Sequence, residues 1–113
     1  MVLGLTIWCG KARAAEWKEF AEASTGVFHY DAASISSTPK GFTRVWIYNM
    51  TKQETNLVEF KCKEKSYHVI DVVQYDQAKV IKSRQTYYDN PTPTWHDISP
   101  KSVSESLYKI VCR

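Results

Sequence analysis

Hydrophobic and polar residues alternate along most of the chain between Trp17 and Asp89. A period of two places successive side chains on opposite faces of an extended chain, so this pattern predicts half-buried β-strands. We expect strands over 17–23, 27–30, 42–50, 56–64, 67–75 and 80–89, joined by short polar turns. Short connections favour antiparallel pairing, and no helical pattern intervenes that would supply a parallel crossover. The sequence therefore predicts an antiparallel meander of about six strands.

The apolar positions also predict how individual strands are placed. In segment 42–50, Val45 and Ile47 share one face while Trp46 and Tyr48 share the other. Because both faces are apolar, we expect this strand to be central. Alternation in segment 56–64 places Cys62 on the buried face. In segment 67–75, unbroken alternation assigns one face to Tyr67, Val69, Val73 and Tyr75.

Only the C-terminal segment has a helical period. Its apolar residues recur at the three- and four-residue spacings of one helix face: Val103, Leu107, Ile110 and Val111. Ser102 and Glu105 have the S-x-x-E spacing of a capping box, which predicts that the helix begins there. The predicted fold class is α+β, with an antiparallel sheet and one C-terminal helix packed on it.

Residues 1–14 resemble a secretory signal peptide, possessing an apolar run followed by small residues around Ala12 and Ala14. We expect cleavage after Ala14 and one mature domain over 15–113; the alternative is that the segment forms a buried first strand or a tail. Cleavage would lower the formal net charge from +3 to +1. Such a weakly charged domain offers little attraction for phosphate, so nucleic-acid binding is not expected. No apolar run reaches the roughly 18 residues of a membrane span.

Two cysteines would remain in the mature chain, Cys62 and Cys112. An exported domain with two cysteines is expected to form one disulfide, which would tether the C-terminal helix to the sheet. Free thiols and an intermolecular bridge are the alternatives. A zinc site is disfavoured because the two residues lack CxxC spacing.

The sequence contains no recognisable catalytic signature. His29, His68 and His96 lack HExxH spacing, and no serine lies in a GxSxG turn. We therefore predict a protein that is not an enzyme and has no cofactor and no metal site. One alternative remains, a haem or metal carrier, because His29 and His68 lie on separate predicted strands that could be neighbours.

Aromatic residues exceed what the predicted core requires, so some are expected at the surface. Arginine, tyrosine and tryptophan are common at binding hot spots. We predict a partner-binding surface formed by Arg84, Tyr87, Tyr88 and Trp95. In the alternative interpretation, Trp46 and Trp95 anchor the core under the helix and the tyrosines cover sheet edges. Sheet edges could also pair two copies into a homodimer.

Several segments together resemble the bacterial surface-adhesin protein E-like family. They are Trp17, residues 27–31 with 34–35, residues 44–47, residues 59–63, Trp95, residues 98–100 and residues 111–112. The resemblance covers nearly all of the mature chain and implies an exported β-sheet domain with a C-terminal helix. For the family's namesake it also implies binding to extracellular matrix proteins.

These observations predict an exported binding protein that works without a chemical step. Its expected partner is an extracellular matrix or cell-envelope protein, and its expected location is the cell surface, the outer membrane or the periplasm. The principal alternative is a periplasmic structural or accessory protein of the envelope.

Overall fold

A computed structural model describes residues 15–112 of the chain. The predicted signal peptide, residues 1–14, lies outside the described residues. Eight strands form one antiparallel sheet. Their bounds are β1 (Trp17–Ala23), β2 (Gly26–Asp31), β3 (Ser36–Ser37), β4 (Thr43–Asn49), β5 (Glu54–Lys61), β6 (Ser66–Tyr75), β7 (Ile81–Thr86) and β8 (His96–Asp97). A 3-10 turn covers Ala32–Ser34, and helix α1 covers Val103–Val111.

The six longer strands follow the predicted meander. Their spatial order is β1-β2-β4-β5-β6-β7, while the two-residue strands β3 and β8 pair with β4 and β6. The segment predicted as central, β4, lies inside the sheet between β2 and β5. The predicted α+β fold class is therefore confirmed.

One face of the sheet packs against α1. Val45, Ile47, Val58 and Phe60 form a buried cluster with Leu107 of the helix. Burying such aliphatic and aromatic side chains contributes about 1.5–3 kcal/mol each. This cluster is the main core of the described domain.

Both ends of α1 are fixed. At its start, the Ser102 side chain accepts a hydrogen bond from the Glu105 amide at 3.1 Å. The Glu105 carboxylate in turn accepts from the Lys101 amide at 2.9 Å, one residue before the partner that a capping box uses. At its other end, a disulfide joins Cys112 to Cys62. The predicted helix start and the predicted tether are both confirmed.

The first hairpin depends on Gly26, which has a φ of +143°. A Cβ atom at this position would collide with the side chain of buried Asn49. The Asn49 amide oxygen accepts from the amides of Thr51 and Lys52, and its Nδ2 donates to the Thr25 carbonyl. Glycine is required here because Asn49 connects two turns through the space that a side chain would fill.

A β-bulge in β6 changes which residues share a face. Leu57 pairs with Asp71 but the next residue of β5 pairs with Val69, so Ile70 is an extra residue. Because of this extra residue, odd-numbered residues of β6 after the bulge lie on the opposite face from odd-numbered residues before it. Tyr67 and Val69 pack against the helix-side core, whereas Val73 and Tyr75 line depressions on the opposite face. The prediction that these four residues share one face is therefore wrong.

Candidate functional site

The sheet face opposite α1, here called the open face, contains a buried polar cluster. Asp71 has a relative exposure of 0%, Glu59 of 6% and His68 of 8%. Ionisable side chains are seldom buried so completely unless they are paired. The three residues come from β5 and β6, which bring them together in the middle of the sheet.

Glu59 is held by two partners. Its Oε2 accepts from Nε of Arg44 at 2.8 Å, and its Oε1 lies 2.8 Å from Nε2 of His68. Burial alone would raise the pKa of Glu59, but the hydrogen bonds from His68 and Arg44 outweigh it and hold that pKa below its ordinary value. Glu59 is therefore a carboxylate at neutral pH.

Asp71 forms the second buried ion pair. Arg84 donates to its two oxygens at 3.2 Å and 2.7 Å, and the Tyr88 hydroxyl donates at 3.1 Å. The Arg84 hydrogen bonds lower the pKa of Asp71, opposing the effect of burial. Burial and the same carboxylate raise the pKa of Tyr88. Arg84 and Tyr88 are thus fixed to the sheet by one fully buried residue.

Aromatic rings surround the cluster on its solvent side. The Trp95 ring lies 4.1 Å from the His68 ring and 5.3 Å from the Phe42 ring, measured between centroids. Nζ of Lys61 lies 4.2 Å from the Trp95 centroid, at the distance of a cation–π contact. Trp95 therefore covers His68 and is itself covered by a lysine.

A cleft of about 350 Å³ opens above Glu59 and His68. We call it the Arg44 cleft. It is lined by Thr38, Pro39, Lys40, Phe42, Arg44, Glu59, His68, Ile70, Tyr87, Tyr88, Asn90, Pro91, Pro93 and Trp95. Ligand sites often have this volume and this mixture of aromatic walls with a few polar groups.

Three of the four predicted partner-binding residues meet at this cleft. Tyr87 and Tyr88 are 41% and 46% exposed, while Trp95 is half-buried. The fourth residue, Arg84, does not line the cleft but is linked to Tyr88 through Asp71. The structure thus places the four predicted residues close to one another on the open face.

The alternative placement of two tryptophans is wrong. Trp46 and Trp95 line depressions on the open face and do not lie under α1. The core under the helix is formed instead by aliphatic residues and Phe60, with the rings of Phe20, Phe28, Tyr30 and Tyr67 packed against it.

The sequence did not single out three of the residues that organise the site: Arg44, Glu59 and Asp71. His68 was named only as a candidate haem or metal ligand. Each lies within a strand, where a charged residue at a regular alternating position predicts a solvated face. One signal was available, since Glu59 interrupts the apolar run 57–60 and Asp71 interrupts the apolar run 69–73.

The histidines do not converge. In the sheet order, β4 and β5 lie between His29 of β2 and His68 of β6, so the expected proximity is wrong. His68 is engaged by Glu59, and Nδ1 of His29 is buried without a hydrogen bond. Over residues 15–112, no three histidine, cysteine, aspartate or glutamate side chains group as metal ligands would.

The chain matches one known protein family over most of its length. The family model of surface-adhesin protein E matches residues 17–113. No curated protein and no solved structure matches the chain. Within the described range, no helix is long and apolar enough to cross a membrane. The match covers every strand of the described residues, the disulfide and α1, and the chain belongs to the surface-adhesin protein E family.

Proposed function

We propose that this protein is an exported, non-enzymatic adhesin that binds an extracellular matrix protein through the open face. The contact residues are Arg84, Tyr87, Tyr88 and Trp95. One observation carries the proposal: buried Asp71 holds Arg84 and Tyr88 in place while Tyr88 remains 46% exposed. A rigid exposed aromatic loses little conformational entropy on binding, which makes such residues effective contact points.

Export is supported by the disulfide and by the leader. A disulfide between Cys62 and Cys112 persists in an oxidising compartment. The signal peptide proposed for residues 1–14, with the mature domain at 15–113, would deliver the chain across the inner membrane. Surface display and periplasmic retention both remain consistent with this route, and they define the two functional alternatives.

The first experiment locates the protein. Intact source cells are labelled with a membrane-impermeant amine reagent, and the protein is enriched and its intact mass measured. We expect strong labelling of a chain that begins at Ala15. Labelling only after permeabilisation of the outer membrane would instead assign the protein to the periplasm, as an accessory protein of the envelope.

The second experiment tests the binding surface. The purified mature domain is assayed against immobilised extracellular matrix proteins, alongside the double variant Tyr87→Ala/Tyr88→Ala. We expect the binding affinity to fall at least tenfold, which is the effect typical of removing one hot-spot residue. Met50→Ala is the matched control, because Met50 is 51% exposed and does not line the cleft.

Two results would contradict the proposed surface. Unchanged binding by the double variant would show that the contact lies elsewhere. A large loss of stability would assign the tyrosines to the folded core. The variant Tyr88→Phe separates these effects, because it keeps the ring and removes only the hydroxyl that bonds Asp71.

A further inference from the structure

We infer that the Arg44 cleft binds a carboxylate side chain of the protein partner, with the guanidinium of Arg44 as its receptor. This inference rests on the proposed function and names the chemistry of the partner. It is argued from the donors that line the cleft, from its charge and from its walls.

Arg44 has donors that no residue in the described part of the chain uses. Its Nε is bonded to Glu59, but its Nη amines make no hydrogen bond to any residue in the range 15–112. The side chain is 33% exposed and lines the cleft. Arg84 differs, because it engages Asp71 through both Nε and Nη2. An arginine fork with free donors pairs with a carboxylate through two parallel hydrogen bonds.

The guanidinium is also held in position before any ligand arrives. Glu59 fixes its Nε, and His68 fixes Glu59 from the other side. The Tyr88 ring lies 5.7 Å from Cζ of Arg44. Because these contacts already restrict the side chain, little conformational entropy remains to be lost on binding.

The charge of the cleft favours an anion. Lys40 and Arg44 supply two positive charges to the lining, and Glu59 supplies one negative charge. Asp71 is neutralised separately by Arg84. A carboxylate at the Arg44 fork would balance the remaining positive charge of the lining.

The walls favour a peptide as the carrier of this carboxylate. Pro39, Pro91 and Pro93 contribute rigid apolar surface, and Tyr87 and Tyr88 contribute exposed rings. These walls can cover the main chain and flanking side chains of an extended segment while the acidic side chain enters the cleft. The inferred ligand is therefore an acidic, extended segment of the partner.

The test is an NMR titration of the mature domain, labelled with nitrogen-15, at fixed pH and fixed ionic strength. The probe is the peptide acetyl-Gly-Glu-Gly-amide at millimolar concentration, and its neutral counterpart is acetyl-Gly-Gln-Gly-amide. We expect the acidic peptide to shift the amide signals of residues lining the cleft. The neutral peptide should bind about tenfold more weakly or not at all, because it lacks the charge-assisted hydrogen bonds.

Variants of single cations assign the effect to Arg44. Arg44→Gln should abolish the shifts, and Arg44→Lys should weaken binding because a lysine retains the charge without the fork. Lys82→Gln is the matched control, since it removes the same charge from exposed β7, outside the cleft. The amide spectrum of each variant also reports whether its fold is intact.

Three outcomes would overturn the inference. They are equal shifts with both peptides, shifts that persist in Arg44→Gln, and a response to glucuronate without a response to the acidic peptide. The last would identify an acidic sugar as the ligand. Because the titration uses no partner protein, its failure alongside retained matrix-protein binding would leave the proposed function standing.

Discussion

The disulfide between Cys62 and Cys112 should provide a large part of the stability of this domain. The two residues are separated by 50 positions. On the chain-entropy account, closing a loop of this length stabilises the folded state by about 4 kcal/mol. Small domains have a total unfolding free energy of about 5–15 kcal/mol, so the loss should be easily measured.

The test compares the oxidised protein with the double variant Cys62→Ala/Cys112→Ala by urea denaturation at equilibrium. We expect the unfolding free energy to fall by about 4 kcal/mol. The single variants Cys62→Ala and Cys112→Ala should resemble each other, since either one removes the link. A reduction of less than about 1 kcal/mol would refute the reasoning, as would an intact mass showing two free thiols in the native protein.

The structure also predicts which element opens first when the disulfide is removed. Leu107 is the only residue of α1 that is buried. Tyr108 adds a hydrogen bond from its hydroxyl to the Cys62 carbonyl at 3.0 Å. With so few anchors, the helix should open locally once the disulfide is removed. Hydrogen exchange should therefore accelerate more in α1 than in β4 and β5, and uniform acceleration would contradict this local opening.

Three further predictions concern the buried groups. The pKa values of Glu59 and Asp71 are lowered from the ordinary values of 4.5 and 3.8. The stability that these two carboxylates contribute is therefore complete above their ordinary pKa values. It is lost as the pH falls through their lower pKa values in the folded protein. Urea unfolding at a series of pH values should show this loss of unfolding free energy in acid, and the loss should be smaller in Asp71→Asn. An unaltered pH profile in the variant would contradict the role of Asp71. Leu107→Ala should cost about 2–5 kcal/mol in the same assay, because Leu107 is 2% exposed within the core cluster, and a cost below about 1 kcal/mol would show that the helix is not anchored there. Gly26→Ala should lower the unfolding free energy by about 1–3 kcal/mol or more, through backbone strain and collision with Asn49. The control is Gly41→Ala, because Gly41 also has a positive φ but a Cβ there meets no neighbouring atom, so this variant should show the cost of backbone strain alone.

The contrast between the two arginines explains how the open face combines stability with availability. Arg84 neutralises a fully buried carboxylate with two of its nitrogens. Arg44 uses one nitrogen for Glu59 and leaves its fork at the cleft. The first arginine therefore orders the surface, and the second is available to a ligand.

The sequence by itself determined the elements that depend on local pattern. Apolar residues on both faces of segment 42–50, Val45 and Ile47 on one and Trp46 and Tyr48 on the other, predicted a central strand, because the period of side-chain direction in a strand is fixed by backbone geometry. The spacing of Ser102 and Glu105 predicted the helix start, since an N-cap acts over three residues. The pairing of Cys62 with Cys112 followed from the cysteine count once export was expected.

The tertiary structure alone decided which residues face each other across strands. The bulge at Ile70 reversed the faces of Val73 and Tyr75, and nothing in a regular alternation marks where an extra residue enters a strand. The convergence of Glu59, His68 and Arg44 likewise depends on the register between three strands, which local sequence does not encode. Aromatic excess could therefore indicate that a surface exists, but only pairing across the sheet created the cleft beside it.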